Sequence, residues 1–119
     1  MSIKRFPEGR QGRCAAVAAG GIVHAVAVDP TGSEGIAAQT RSALAEIDRV
    51  LALAGSGKSG LLQATVYLDD MADKAVMNDI WCDWVGPEEN WPQRACVGAK
   101  LADGHLIEVV VTALAHEKD

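Results

Sequence analysis

The chain has 119 residues, of which 49% are hydrophobic, 23% charged and only 4% aromatic, with a formal net charge of −5. That length and mix describe one globular domain with a core of Ala, Val, Leu and Ile, small enough to gain stability from oligomerisation. The charge pattern excludes a general nucleic-acid binder, because basic residues gather only weakly at Lys4, Arg5, Arg10 and Arg13 while 69–89 is acidic.

No stretch approaches the roughly 18 apolar residues of a membrane span, so no membrane partner is expected. The N-terminus carries charge without an apolar core segment, so no signal peptide is expected. Cys14, Cys82 and Cys96 are odd in number and widely spaced. That points to reduced thiols in a cytoplasmic protein rather than a disulfide framework.

Residues 1–12 are polar and Gly-rich and read as an irregular lead-in to a single domain over 1–119, with 115–119 as a tail. Cys14 to Ala19 and Ile22 to Val28 are apolar runs joined by Gly20-Gly21, which suggests a β-hairpin. Asp29-Pro30-Thr31-Gly32-Ser33 breaks the chain. Ile36, Thr40, Ala43, Leu44, Ile47, Val50, Leu51 and Ala54 then recur at helical spacing, with Gln39, Arg41, Glu46, Asp48 and Arg49 mostly on the outer face and Gly55 as the stop.

Leu62 to Leu68 alternates as a strand, and Asp70 is positioned to cap a second helix that ends at Gly86-Pro87. Arg94 to Leu101 and His105 to Leu114 read as strands, linked by the hairpin signal Asp103-Gly104. The order is β-β-α-β-α-β-β, an α+β fold. Both faces of the last strand are apolar, yet two helices cover only one face of such a sheet. The pattern therefore predicts that a neighbouring subunit covers the other.

Gly55-Ser56-Gly57-Lys58-Ser59 resembles the end of a phosphate-binding loop. Ala52 stands where the motif needs Gly, and the segment follows a helix instead of a strand, so it reads as a helix stop. His24, His105 and His116 lack metal-ligand spacing, and no metal is expected. Arg94 is the outstanding residue, a guanidinium in an otherwise buried-looking strand, which needs an anion from the protein or from a ligand. Cys96 shares its face. With a hairpin centred on Asp103-Gly104, Glu108 falls opposite roughly position 99, where Lys100 is an alternative partner for it.

The residues Gln39-Thr40, Thr65-Val66-Tyr67-Leu68-Asp69-Asp70 and Asn78, with Pro92-Gln93-Arg94-Ala95-Cys96-Val97 and Ile107-Glu108-Val109, resemble the Rid (YjgF/YER057c/UK114) family. Ala45-Glu46-Ile47-Asp48 and Met77-Asn78 with Trp81 and Asp83-Trp84-Val85 are most similar to its YoaB-like branch. The resemblance implies a chorismate-mutase-like fold, one mixed sheet with two helices on one face, and a homotrimer with ligand clefts between subunits. It implies hydrolysis of reactive enamine/imine intermediates to a 2-oxo acid and ammonia, with no cofactor. Arg94 would hold the carboxylate of a small metabolite, and Glu108 would handle water or a proton. The alternative is a trimer of the same fold that binds small carboxylates without turnover.

Two departures from the family pattern bear on the cleft. Ala25-Val26 stands where the family has a Ser/Thr-Gly pair, and Arg10-Gln11-Gly12-Arg13 where deaminating members carry a Gly-Pro-Tyr type segment. Arg13 in the cleft would favour a more acidic ligand, and Trp91 would supply the missing aromatic wall. Cys96 would line the cleft.

Overall fold

In the computed structural model, which describes residues 2–116, the last strand lies in the middle of the sheet. Ile107–Ala115 (β6) alternates Ile107, Val109, Val111 and Ala113, all buried, with Glu108, Val110, Thr112 and Leu114 on the other face. Two-residue periodicity separates these sets. Around β6 are arranged Ile3–Phe6 (β1), Ala16–Ala19 (β2), Ile22–Ala27 (β3), Ser56–Leu68 (β4) and Gln93–Gly98 (β5). The six-stranded order is β1-β2-β3-β6-β4-β5. All pairings are antiparallel except β4 with β5, so the sheet is mixed.

The helices Ile36–Leu53 (α1) and Lys74–Val85 (α2) pack on one face. Leu44, Ile47, Val50 and Leu51 of α1, with Met77 and Trp81 of α2, close over Val23, Ala25, Val66, Leu68 and the buried set of β6. Gly55, at φ 86°, ends α1 as expected. Asp70 caps a single 3₁₀ turn, accepting from Ala72 N at 2.9 Å, before α2 begins at Lys74.

Three expectations change. The lead-in is not wholly irregular: Ile3–Phe6 pairs antiparallel with Ala16–Ala19 as an edge strand, which a polar composition conceals because an edge needs only one backbone partner. Ala115 closes β6, and residues 117–119 of the expected tail lie outside the described residues. The third concerns the Asp103-Gly104 hairpin. β5 and β6 do not pair, because β4 lies between them. β5 runs parallel to β4 after the α2 crossover, and Glu108 faces Tyr67 of β4. Asp103-Gly104 turns inside a longer connection, where His105 N bonds Ala102 O at 3.0 Å.

Gln39 explains how that connection is held. Instead of lying on the outer face of α1, it is 4% exposed. Its Nε2 donates to Ser33 O (3.0 Å) and Gly104 O (2.8 Å), and its Oε1 accepts from Leu106 N (2.8 Å). The Gly55-Ser56-Gly57-Lys58-Ser59 segment begins β4. Lys58 Nζ donates to Trp84 O at 2.9 Å at the end of α2, a structural use of that lysine. At Gly60 a Cβ would lie 2.6 Å from Leu114 O, so the bulged start of β4 requires glycine.

On the helix-free face, Val97, Val110 and Leu114 are exposed. This is the surface on which the sequence pattern predicts a neighbour.

Candidate functional site

Arg94 lies on β5, opposite Ala64 of β4, with its side chain on the helix face together with Cys96 and Gly98. At the edge of the sheet it reaches over α2, where its guanidinium carbon is 5.2 Å from the Trp81 ring centre. It is half-buried, and among the described residues it makes no ion pair; those present join Arg49 to Glu8 and Glu46. A cavity of about 360 Å³ opens beside it, walled by Trp81, Cys82, Val85, Trp91 and Pro92. Trp91 is 60% exposed but fixed, because its Nε1 donates to Gly86 O at 3.0 Å. An oriented aromatic wall beside an unpaired guanidinium can receive a carboxylate with an attached organic group.

Glu108 points to the opposite face. It borders a cavity of about 210 Å³ with Arg10, Arg13, Cys14, Val26 and His105. No ion pair to Lys100 forms among the described residues. Across two strand spacings and three residues of β4, Arg94 and Glu108 are separated by about 10 Å in each direction, on opposite faces. One chain does not bring them together.

The remaining candidates divide between these two places. Trp91 borders the Arg94 cavity, and Cys96, on the same face as Arg94, packs against the core. Arg13 and Val26 border the Glu108 cavity. Ala25 is 3% exposed on the core side of β3, and with Val26, which takes the open face, it borders a further cavity of about 220 Å³. Sequence reasoning missed Trp81 beneath Arg94, and Arg10 and His105 beside Glu108. His105 lies three residues before Glu108, which was a usable signal; the others depend on packing between distant segments.

A second polar cluster braces the loop after β3. Asp29, 4% exposed, accepts from Thr31 N (2.9 Å), Thr31 Oγ1 (2.7 Å), Ser33 N and Ser42 Oγ (2.6 Å). Burial alone would raise its pKa. The hydrogen bonds from Ser42, Thr31 and Ser33 outweigh burial and hold the carboxyl well below the usual carboxylate range. No helix among the described residues is long and apolar enough to cross a membrane.

Residues 8–115 match the family described as Endoribonuclease L-PSP. A RutC family protein of Haemophilus ducreyi is 47% identical over 76 residues, covering 63% of this chain and 64% of that protein. RutC family protein YoaB of Escherichia coli is 51% identical over 76 residues, covering 63% and 66%. The match thus spans just under two thirds of the length of these curated relatives. A crystal structure of a YjgF family member from Neisseria meningitidis superposes with a TM-score of 0.90 at 38% identity, covering 99% of this chain and 98% of that one. Sequence, fold and residue pattern agree, and the chain belongs to the YjgF/RutC family, the group described as Endoribonuclease L-PSP.

Proposed function

We propose that the protein is a cytoplasmic homotrimer that hydrolyses small 2-imino acids to 2-oxo acids and ammonia in clefts between subunits. The observation that carries the reading is Arg94: a half-buried guanidinium on an edge strand, resting on an aromatic ring, with no carboxylate partner among the described residues. Arg94 and Glu108 lie on different surfaces of one chain. A head-to-tail contact, which closes into a ring, presents the Arg94 surface of one subunit to the Glu108 surface of the next. The exposed Val97, Val110 and Leu114 supply apolar area for that contact.

In this reading Arg94 holds the substrate carboxylate through a bidentate pair and so fixes the adjacent C=N carbon. The protonated imine is already electrophilic. Water adds to that carbon while Glu108 of the neighbouring subunit orients it and takes a proton. That proton passes to the carbinolamine nitrogen; as the C–N bond breaks and ammonia leaves, the hydroxyl proton goes to Glu108 and the C=O of the 2-oxo acid forms. The chemistry calls for no cofactor. Trp91 walls the side-chain space, and Val26 narrows the Glu108 side.

The test generates 2-iminopropionate and larger imino acids in situ with an amino-acid oxidase and compares wild type with Arg94→Ala. Faster 2-oxo acid release by wild type alone supports hydrolysis. No acceleration with any imine favours the second reading, a trimer that binds carboxylates without turnover. That reading draws on Val26, which borders the Glu108 cavity where the family pattern has a Ser/Thr-Gly pair.

A further inference from the structure

We infer that the Glu108 cavity receives a second anionic group, so that the preferred substrate is a 2-imino acid bearing a further carboxylate. This deepens the deaminase reading and rests on it. Arg5 of β1 and Arg10 and Arg13 of the following loop converge on two adjoining cavities of about 410 and 210 Å³. Both are bordered by Arg10, Arg13 and Cys14; Arg5 borders the larger, and Glu108 and His105 the smaller.

Among the described residues none of the three arginines is in an ion pair. The hydrogen bond found for Arg13 goes to a backbone oxygen, from Nη1 to Gln11 O at 3.0 Å. The chain carries a net charge of −5, so a concentration of unpaired guanidiniums is not a general property of its surface. Like charges gathered around a concavity repel one another until an anion enters. Glu108 can offset one of them. The balance at the cavity stays positive, and His105 adds a ring nitrogen to the wall. Guanidinium forks match a carboxylate in shape as well as charge. A dianion held at one end by Arg94 of one subunit and at the other by Arg10 and Arg13 of the next spans the cleft. Its imine carbon then lies between them, toward Glu108.

The test compares two imines of equal chain length, 2-iminoglutarate and 2-iminopentanoate, made in situ from glutamate and norvaline by amino-acid oxidases. The readout is the ratio of their kcat/KM values in wild type, Arg10→Gln, Arg13→Gln and the double variant. Wild type is expected to prefer the diacid, and the double variant to lose about tenfold or more of that preference, chiefly through KM. A wild-type ratio near one, or a ratio unchanged in the double variant, overturns the inference while leaving the deaminase reading intact. If neither imine is hydrolysed, the deaminase reading fails, and calorimetric titration with 2-oxoglutarate and 2-oxopentanoate decides the anion site by itself. Tighter diacid binding that the double variant abolishes supports the site; equal affinities, or no binding of either, overturn it.

Discussion

Arg94 rests on the face of Trp81, with its guanidinium carbon 5.2 Å from the ring centre. The ring supports the cation without neutralising it, which leaves the charge available to a ligand. It also limits where the long side chain can swing, so less freedom is lost when a carboxylate arrives. Trp81→Phe keeps a ring and is expected to stay close to wild type. Trp81→Leu removes the support, worth about 1 kcal/mol, and is expected to raise KM for a 2-imino acid about fivefold. A steady-state comparison of the two variants checks this; equal KM values for Phe and Leu would remove the ring from the argument.

Asp29 gives the molecule a defined acid sensitivity. Its folded-state pKa lies below its unfolded value, so its contribution to stability is present above about pH 4 and is lost as pH falls toward the folded-state value. Asp29→Asn keeps the size and loses the charge-assisted hydrogen bonds, and is expected to cost about 2 kcal/mol near neutral pH. The gap between the two proteins should begin to narrow below about pH 4 and close only in strong acid. Urea denaturation of both proteins across that range measures it, and a gap independent of pH would assign the loss to packing alone.

Gln39 ties the start of α1 to the segment that leads into Glu108, through Ser33 O, Gly104 O and Leu106 N. Gln39→Leu leaves these three part-buried backbone groups without their side-chain partner and is expected to cost about 2 kcal/mol. Gln39→Glu retains an acceptor for Leu106 N and loses both donated bonds, so it should fall between the two. Thermal unfolding of the three proteins orders them; a Leu variant as stable as wild type would mean that water replaces the amide fully.

The same residue marks where sequence reading stops. Gln39 is polar but falls at the edge of the apolar arc of α1, beside Ala43 and Val50, and a loop from 65 residues away closes over it. Helical periodicity describes a helix against its sheet and carries nothing about what a distant loop covers. The regular elements were legible because their signals are local: the 3–4 spacing of Leu44, Ile47 and Leu51, the Gly55 stop and the alternation through β6. Strand order was not. Asp103-Gly104 is a good turn dipeptide, but whether two strands pair across it depends on what else competes for the middle of the sheet. There β4 won, pairing β6 on one side and β5 on the other. Arg94 was identifiable as an unusual charge from its neighbours alone. That Glu108 lies on the opposite face followed only once the order of strands was known.

That separation leads to the strongest test of the shared cleft. If Arg94 of one subunit works with Glu108 of the next, Arg94→Ala and Glu108→Gln are each expected to be inactive alone but complementary when mixed. After joint unfolding and refolding in equal amounts, each cleft draws its two halves independently. About a quarter of the clefts then combine an intact Arg94 with an intact Glu108, and about a quarter of wild-type activity should return. Pairing within one chain predicts no recovery, because every chain lacks one of the two groups. A refolded wild-type control sets the scale. Recovery near a quarter would show that each cleft takes one half from each of two subunits.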